Sequence, residues 1–524
     1  MENGIFDSIL RDIDFSSFEN DLNRQGFQNI KGKQEIERRT IFDSGFLIAI
    51  GNRIYGYSAN DCSELYLPPK YYFRPKTIDQ LQKIVRVANI HKIPLTFASG
   101  KTGLSAGYAN FAAIVDLDFL NFNEPSIQMN LEKAEITAAQ DVLISDLIKY
   151  VPRYSNNRFI FPIQPSSAFK LPVQVGGIIG SNASGVTSGK LGACDSWIQN
   201  MQIMTPKGEI LHISQSGTPD IFDKIIGKNG YFGIVLKATF RLFEPESHLQ
   251  NRIIFGSNVE TAFNGLQIVQ DRKIFPLTSE YVMSKNGLLG KFSELSTTTT
   301  TKKVKWAVLI RGSSTELHEF SAIMKESNHD DVQIKEISDS EFRDYLEERT
   351  NQALLAENAT SDLAIVKFPG FEDILAPPSK LNEIINEVNR ILKNYGFEQI
   401  TIGYGHLNFR KGKGLLLHSR IPVPIEMLVH NREETLKLLA QIIVETNLLL
   451  RDKYGIRAKE EHSGGAFGIW FDPQFRETLD KAMQNDSAFH NPHLILYKKF
   501  KQIYPNLDES TLLQKLVYLY LQNS

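Results

Sequence analysis

The chain is expected to be an α+β protein of at least two domains, and three observations carry that expectation. Its 524 residues are too many for a single hydrophobic core. Up to Leu242, strand-like and helix-like segments interleave. Beyond Glu244-Pro245-Glu246 the strands are few and each is followed by a helix, which suggests a mixed or antiparallel sheet covered by helices.

Residues 1–60 read as an N-terminal extension of helices packed on the outside of the first domain. That domain is placed at 61–245 and opens with Tyr71-Tyr72-Phe73-Arg74-Pro75. Thr77-Ile78-Asp79-Gln80 has the form of a capping box, and the helix behind it buries Leu81, Ile84, Val85 and Ala88 at helical spacing. Ala113 to Leu117 and Ala134 to Ala138 read as strands. The second domain is placed at 246–524. It contains strands at Arg252 to Phe255 and Trp306 to Arg311, with a polar loop over Ser296 and Thr297 to Thr301 between them. Leu381, Ile384, Ile385, Val388, Ile391 and Leu392 mark an amphipathic helix, and a longer helix spans Glu433 to Lys453.

Composition narrows the function class. The apolar fraction of 42% and charged fraction of 23% are those of an ordinary globular protein. A net charge of −2 supplies no basic field for nucleic acid. Cys62 and Cys194 are the two cysteines, too few for a disulfide framework and suited to a reducing compartment. Met1-Glu2-Asn3-Gly4 lacks the cationic and apolar regions of a signal peptide, and no apolar run approaches the roughly 20 residues that span a bilayer. A cytoplasmic location is therefore expected, with peripheral membrane contact left open.

Three glycine-rich loops are the strongest chemical signal. The first is Ser99-Gly100-Lys101-Thr102-Gly103-Leu104, after a short apolar step. The second runs from Gly176-Gly177 to Asn182-Ala183-Ser184-Gly185, with Gly192 shortly behind. The third, Gly227 to Gly230, Gly233 and Ile234, leads into a strand. Glycines at this density let backbone N–H groups converge on an anion, since no Cβ blocks close approach. In order and spacing the three loops resemble the vanillyl-alcohol oxidase (PCMH-type) superfamily of flavoproteins. Within it the likeness is to the branch of FAD-linked D-2-hydroxy-acid dehydrogenases, which includes D-lactate dehydrogenase, the glycolate oxidase flavin subunit and D-2-hydroxyglutarate dehydrogenase.

The resemblance implies a PCMH-type FAD-binding domain over 61–245 and an FAD-linked oxidase cap domain over 246–524. It implies FAD, with Ser99 to Leu104, Gly176, Gly177, Asn182 to Gly185, Gly192, Gly230, Gly233 and Ile234 around it. No His or Cys stands in the first loop, so the FAD is expected to be held non-covalently, with Cys194 a buried, inert thiol. In the cap, Tyr404-Gly405-His406-Leu407-Asn408 and Glu460-Glu461-His462-Ser463-Gly464 match the motifs that supply a divalent metal and a base. By that match His406, His418 and Glu461 hold Zn2+ or another divalent metal, and His462 accepts the substrate hydroxyl proton. Two nitrogens and a carboxylate with open positions form a typical catalytic metal set.

Several residues depart from the pattern. His418 follows His406 by twelve positions (418 − 406), farther than in the family motif, with the cationic Arg410-Lys411-Gly412-Lys413 between them. The position of the family's substrate-clamping Arg falls on Glu347, so Arg349 or Lys367 is expected to bind the substrate carboxylate in its place. Lys101 replaces a Gly, and a cation there favours a pyrophosphate. Asn229 replaces a Glu, and Asp195-Ser196 stands where relatives have Arg-Asp.

The leading expectation is an FAD-dependent oxidoreductase that takes a hydride from a D-2-hydroxy acid or related alcohol and passes electrons to an unidentified acceptor other than dioxygen. Two alternatives stand beside it: a metal-independent FAD oxidase of a sugar or polyol, and a catalytically decayed flavin-fold subunit. A homodimer is compatible with the sequence.

Overall fold

The protein is described by a computed structural model. The described residues are 3–27, 47–50, 53–56, 69–102, 107–108, 110–118, 120–122, 125–284, 287–288, 290–296, 303–327, 331–353, 363–367, 373–397, 402–408, 414–419, 421–456 and 466–522.

Two helices, Asn3–Arg11 and Phe15–Arg24, open the chain, and the described residues 47–50 and 53–56 of the extension are strand. Strands β1 (Leu47–Ile50) and β2 (Arg53–Gly56) pair as an antiparallel hairpin. The sequence is compatible with this, because Ile48, Ile50, Ile54 and Tyr55 are residues that favour strands.

The first domain holds two sheets. Strands β3 (Tyr71–Phe73), β4 (Leu95–Ala98) and β5 (Ala113–Asp116) form a small parallel sheet in the order β3-β5-β4. The helix Ile78–Ile90 crosses between β3 and β4. Thr77 caps it by accepting from Gln80 N, while the Gln80 side chain reaches back one residue farther than a capping box requires, to Lys76 N at 2.7 Å. Strands β6 (Ile127–Asn130), β7 (Glu135–Ala139), β8 (Ile198–Met204), β9 (Ile210–Ser214) and β10 (Ile234–Arg241) make an antiparallel sheet in the order β6-β7-β10-β8-β9.

The second domain is built on seven antiparallel strands. They are β11 (Gln250–Gly256), β12 (Thr278–Ser284), β13 (Trp306–Gly312), β14 (Gln333–Glu336), β16 (Asp373–Ala376), β17 (Ile402–Asn408) and β18 (Gly414–Ser419). Their order is β14-β11-β13-β12-β17-β18-β16. Tyr281, Met283, Val308, Ile310 and Leu417 point to one face, where they pack against the helices Val259–Asp271, Ser314–Glu326 and Pro378–Asn394. Val282, Ala307, Leu309, Ile253 and Tyr404 point to the other, against Phe342 and Tyr345 of the helix Asp339–Ala353. Helices thus cover both faces.

Two further segments cross the expected boundaries. Strands β15 (Leu363–Lys367) and β19 (Ile421–Pro424) leave the cap sheet and join the N-terminal hairpin in the order β19-β15-β1-β2. The long helix Arg432–Tyr454 ends on Gly455 in the left-handed region, and the helices after it return to the first domain. There Leu95 N, on the edge strand β4, donates to His490 O at 3.2 Å, and Phe489 N donates to Tyr231 O at 2.8 Å. The Phe489 ring meets Phe97 edge-on with centroids 4.7 Å apart. The C-terminal helices therefore cover an open sheet edge, which would otherwise present unpaired backbone groups.

Phe489→Ala is expected to remove this buried anchor at about 3–5 kcal/mol, the range for truncating a buried Phe. Urea unfolding should show a lower midpoint, and limited proteolysis should cut the C-terminal helices first. An unchanged midpoint would contradict this docking.

Candidate active site

The three glycine loops meet at one cleft of about 1170 Å³, counting its open mouth. Ser99, Lys101, Gly177, Ser181, Asn229 and Ile234 are among the residues on its walls. Gly100 follows β4 so closely against Pro172 that a Cβ would lie 2.0 Å from the Pro172 carbonyl oxygen. Gly185 is held equally tightly, with an ideal Cβ 2.1 Å from Gln164 O. Gly177 differs, because a Cβ there would meet nothing within 4 Å. It lies in the first turn of the short helix Val175–Gly180, where N–H groups lack intrahelical acceptors, and it faces open cleft.

The second and third loops are tied together by backbone. Gly227 N donates to Ile179 O and Asn229 N to Gly180 O, both at 2.9 Å. Asn229 and Gly230 both take positive φ, at 47° and 76°. The buried Nδ2 of Asn229 has no hydrogen-bond partner among the described residues, as a donor waiting for a ligand would. Asn182, also at positive φ, accepts from Asp195 N at 2.9 Å and so holds the loop to the turn that follows Gly192. Gly192 has φ 76° and ψ −155°, open to glycine. A Cβ on Gly233 would crowd Ile225. An open cleft, an orphaned amide donor and glycines at each close approach fit a dinucleotide cofactor.

Lys101 lines the cleft beside two acidic residues. Its ammonium sits 3.1 Å from Asp116 and 2.8 Å from Asp118, so its charge is already compensated by two carboxylates. Burial holds Asp118 above its usual range despite the Lys101 contact. Ser99 donates to Gln174 and Thr102 lines the cleft; Gly103 and Leu104 lie outside the described residues. Cys194 is fully buried, and burial lifts its thiol pKa well above the ordinary value, which suits an inert residue.

Behind the second loop the cap contributes a buried polar cluster. His406 on β17 places Nε2 2.8 Å from the Ser184 hydroxyl, while Ala183 beside it faces the cleft. Glu280 on β12 stands opposite His406 in register, with Oε1 3.8 Å from His406 Nδ1. Its Oε2 lies 2.6 Å from Arg349 Nε, in an ion pair whose angle is off that of a hydrogen bond. The guanidinium stacks over Tyr404 at 4.5 Å, and Nη1 reaches toward the Ser166 hydroxyl at 3.4 Å. Burial raises the Glu280 pKa from the ordinary 4.5 to about 6, with Arg349 pulling it down.

His418 pairs in register with Tyr404, so it shares a face with His406 as a diagonal neighbour, ring centroids 6.4 Å apart. It stacks on Tyr404 at 4.8 Å. Among the described residues no group of three or more His, Cys, Asp or Glu side chains is disposed to hold a metal ion. Glu461 and His462 lie outside the described residues, as does the side chain of Lys367. Glu347 points outward to Lys170 at 3.3 Å, which leaves Arg349 as the inward-facing charge of that helix. Sequence reasoning misses Glu280; its signal is a carboxylate inside the otherwise uncharged strand Thr-Ser-Glu-Tyr-Val-Met-Ser.

Two glycine variants separate folding from cofactor binding. Gly177→Ala is expected to leave the unfolding midpoint of the cofactor-free protein unchanged or slightly raised, and to cut FAD affinity at least ten-fold. Gly185→Ala should lower the midpoint itself. Equal FAD affinity in Gly177→Ala and wild type, by fluorescence titration, would contradict the placement.

Residues 69–214 match the family model described as FAD binding domain. The chain is 28% identical over 247 residues to D-2-hydroxyglutarate dehydrogenase of Stutzerimonas stutzeri, a match covering 45% of this chain and 51% of that one. It is 22% identical over 366 residues to glycolate oxidase subunit GlcD of Bacillus subtilis, covering 68% and 74%. It is 23% identical over 338 residues to D-lactate dehydrogenase of Archaeoglobus fulgidus, covering 64% and 72%. The chain thus spans about half the length of the first of these relatives. Among solved structures, 4-ethylphenol oxidase from Gulosibacter chungangensis superposes with a TM-score of 0.59 at 13% identity, over 82% of this chain and 90% of that one. p-Cresol methylhydroxylase with substrate bound superposes at 0.58 and 16% identity, over 82% and 89%. At these identities the structural likeness is one of fold. Residues 69–214 are thus similar to an FAD binding domain, and the chain shares its fold with 4-ethylphenol oxidase and p-cresol methylhydroxylase.

Proposed function

We propose that the chain is an FAD-dependent oxidoreductase that takes a hydride from the CH–OH carbon of a D-2-hydroxy acid or a related alcohol. The observation that carries this reading is the juxtaposition of the three-loop cleft with the buried Ser184–His406–Glu280–Arg349 cluster. The relatives named for D-2-hydroxyglutarate, glycolate and D-lactate support the substrate class. Bound FAD supplies the hydride acceptor.

The chain's own residues divide the remaining work. Gly177, Ser99 and Asn229 line the space for the cofactor, and the tight packing of Gly100 and Gly185 fixes the loops around it. Arg349 binds the substrate carboxylate, a role that suits a planar, permanently charged fork. His462, by its motif, accepts the hydroxyl proton. His406 is the second imidazole that handles a proton, since its Nε2 is in hydrogen-bond contact with Ser184 and its Nδ1 faces the Glu280 carboxylate at 3.8 Å. The FAD is held non-covalently, and the electrons leave to an acceptor other than dioxygen. Among the described residues no helix is long and apolar enough to cross a membrane.

Anaerobic mixing of the FAD-loaded protein with D- and L-2-hydroxy acids and related alcohols tests the reading. A D-acid or related alcohol is expected to bleach the flavin band. His462→Ala should slow that bleaching about 10²–10⁴-fold with flavin content unchanged. Bleaching by dithionite but by none of these compounds would contradict the proposal, and an unaltered rate in His462→Ala would remove the base.

A further inference from the structure

We infer that Glu280 is the positioning residue that aims Arg349 at the substrate, an assignment that rests on the proposed oxidation of a 2-hydroxy acid. Arg349 lies in the helix Asp339–Ala353 and is 2% exposed. An arginine so buried needs a partner, and the one built into the sheet is the Glu280 carboxylate, itself 2% exposed. The contact is made at Nε, 2.6 Å from Oε2. That choice of atom matters, because a guanidinium held at Nε keeps its two Nη groups for another acceptor.

The rest of the geometry fixes which way those groups face. The Tyr404 ring lies under the guanidinium at 4.5 Å, so the plane is set from below. Nη1 is directed at Ser166, 3.4 Å away. Pro165 and Ser167, on either side of Ser166, both line the cofactor cleft. The anchored end of the guanidinium is therefore turned to the sheet and the donor end to the cleft wall. Glu280 sits on the central strand β12, paired on both sides by β13 and β17, and its backbone has no freedom to follow a substrate. A carboxylate substrate thus meets an arginine already oriented, with less side-chain freedom to lose on binding.

A purely structural role would lower stability or flavin content without touching substrate affinity selectively. The test is anaerobic flavin reduction of the FAD-loaded enzyme over a range of D-2-hydroxy acid concentrations, giving Kd and the limiting rate separately. In Glu280→Gln the Kd is expected to rise at least ten-fold, with a much smaller loss in limiting rate. Once Arg349→Gln is present, adding Glu280→Gln should change Kd by less than three-fold, because the two act as one unit. Should Glu280→Gln fail to load FAD, Glu280→Asp takes its place, and its shorter carboxylate is expected to raise Kd by an intermediate factor. An unchanged Kd in the single variants, or independent, multiplying effects in the double one, would overturn the assignment while leaving the reaction intact. Reduction by neutral alcohols alone would also overturn it. Reduction of wild type by dithionite but by none of the acids or alcohols would instead remove the proposed reaction, and this assignment with it.

Discussion

A single carboxylate in the middle of the cap sheet organises the interior face of this molecule. Glu280 contacts Arg349 through one oxygen and faces His406 with the other. Burying such a group is costly unless it is matched, and breaking a matched buried pair costs about 3–5 kcal/mol. The match draws the helix Asp339–Ala353 onto the sheet and sets Tyr404 beneath the guanidinium. From the same cluster His406 reaches out of the cap to Ser184 in the second flavin loop. The cap's polar interior and the cofactor cleft are therefore one continuous construction.

Other contacts between the domains reinforce this arrangement. Ser188 donates to Leu407 O at 3.2 Å, one residue beyond the His406 bond. Lys190 spans the boundary to Glu316 at 2.8 Å and to Glu246 at 3.2 Å. Glu316 also closes the capping box of the helix Ser314–Glu326, so a helix start in the cap is fastened to the end of the flavin loop. The polypeptide before and after the cap sheet is used in the same way. The hairpin β1–β2 pairs with β15, and the C-terminal helices close the edge at β4.

How much of this is legible in the sequence depends on how local each signal is. The three glycine loops are readable because their glycines answer local demands, such as the close approach of Gly100 to Pro172 and of Gly185 to Gln164. The helix Pro378–Asn394 is readable because its core residues recur on one face. Glu280 is not, because its meaning depends on Arg349, sixty-nine positions later (349 − 280), arriving on a packed helix. The partners of Lys101 are hidden for a similar reason: Asp116 and Asp118 reach it from the neighbouring strand β5 and the turn after it. Counting from the family motif places the clamp at Glu347, yet helical geometry turns Glu347 outward and Arg349 inward. The pairing of the N-terminal hairpin with β15 escapes a sequence reading, because the two lie more than three hundred residues apart in the chain (Ile48 to Val366).

The proposed non-covalent FAD site in the three loops is open to direct measurement. The direct measurement is titration of cofactor-free protein with FAD, followed by acid precipitation of the yellow complex. Saturable binding of one FAD per chain is expected, with all of the flavin released into the supernatant by acid. A protein that stays colourless with FAD, or flavin that remains in the precipitate, would contradict it.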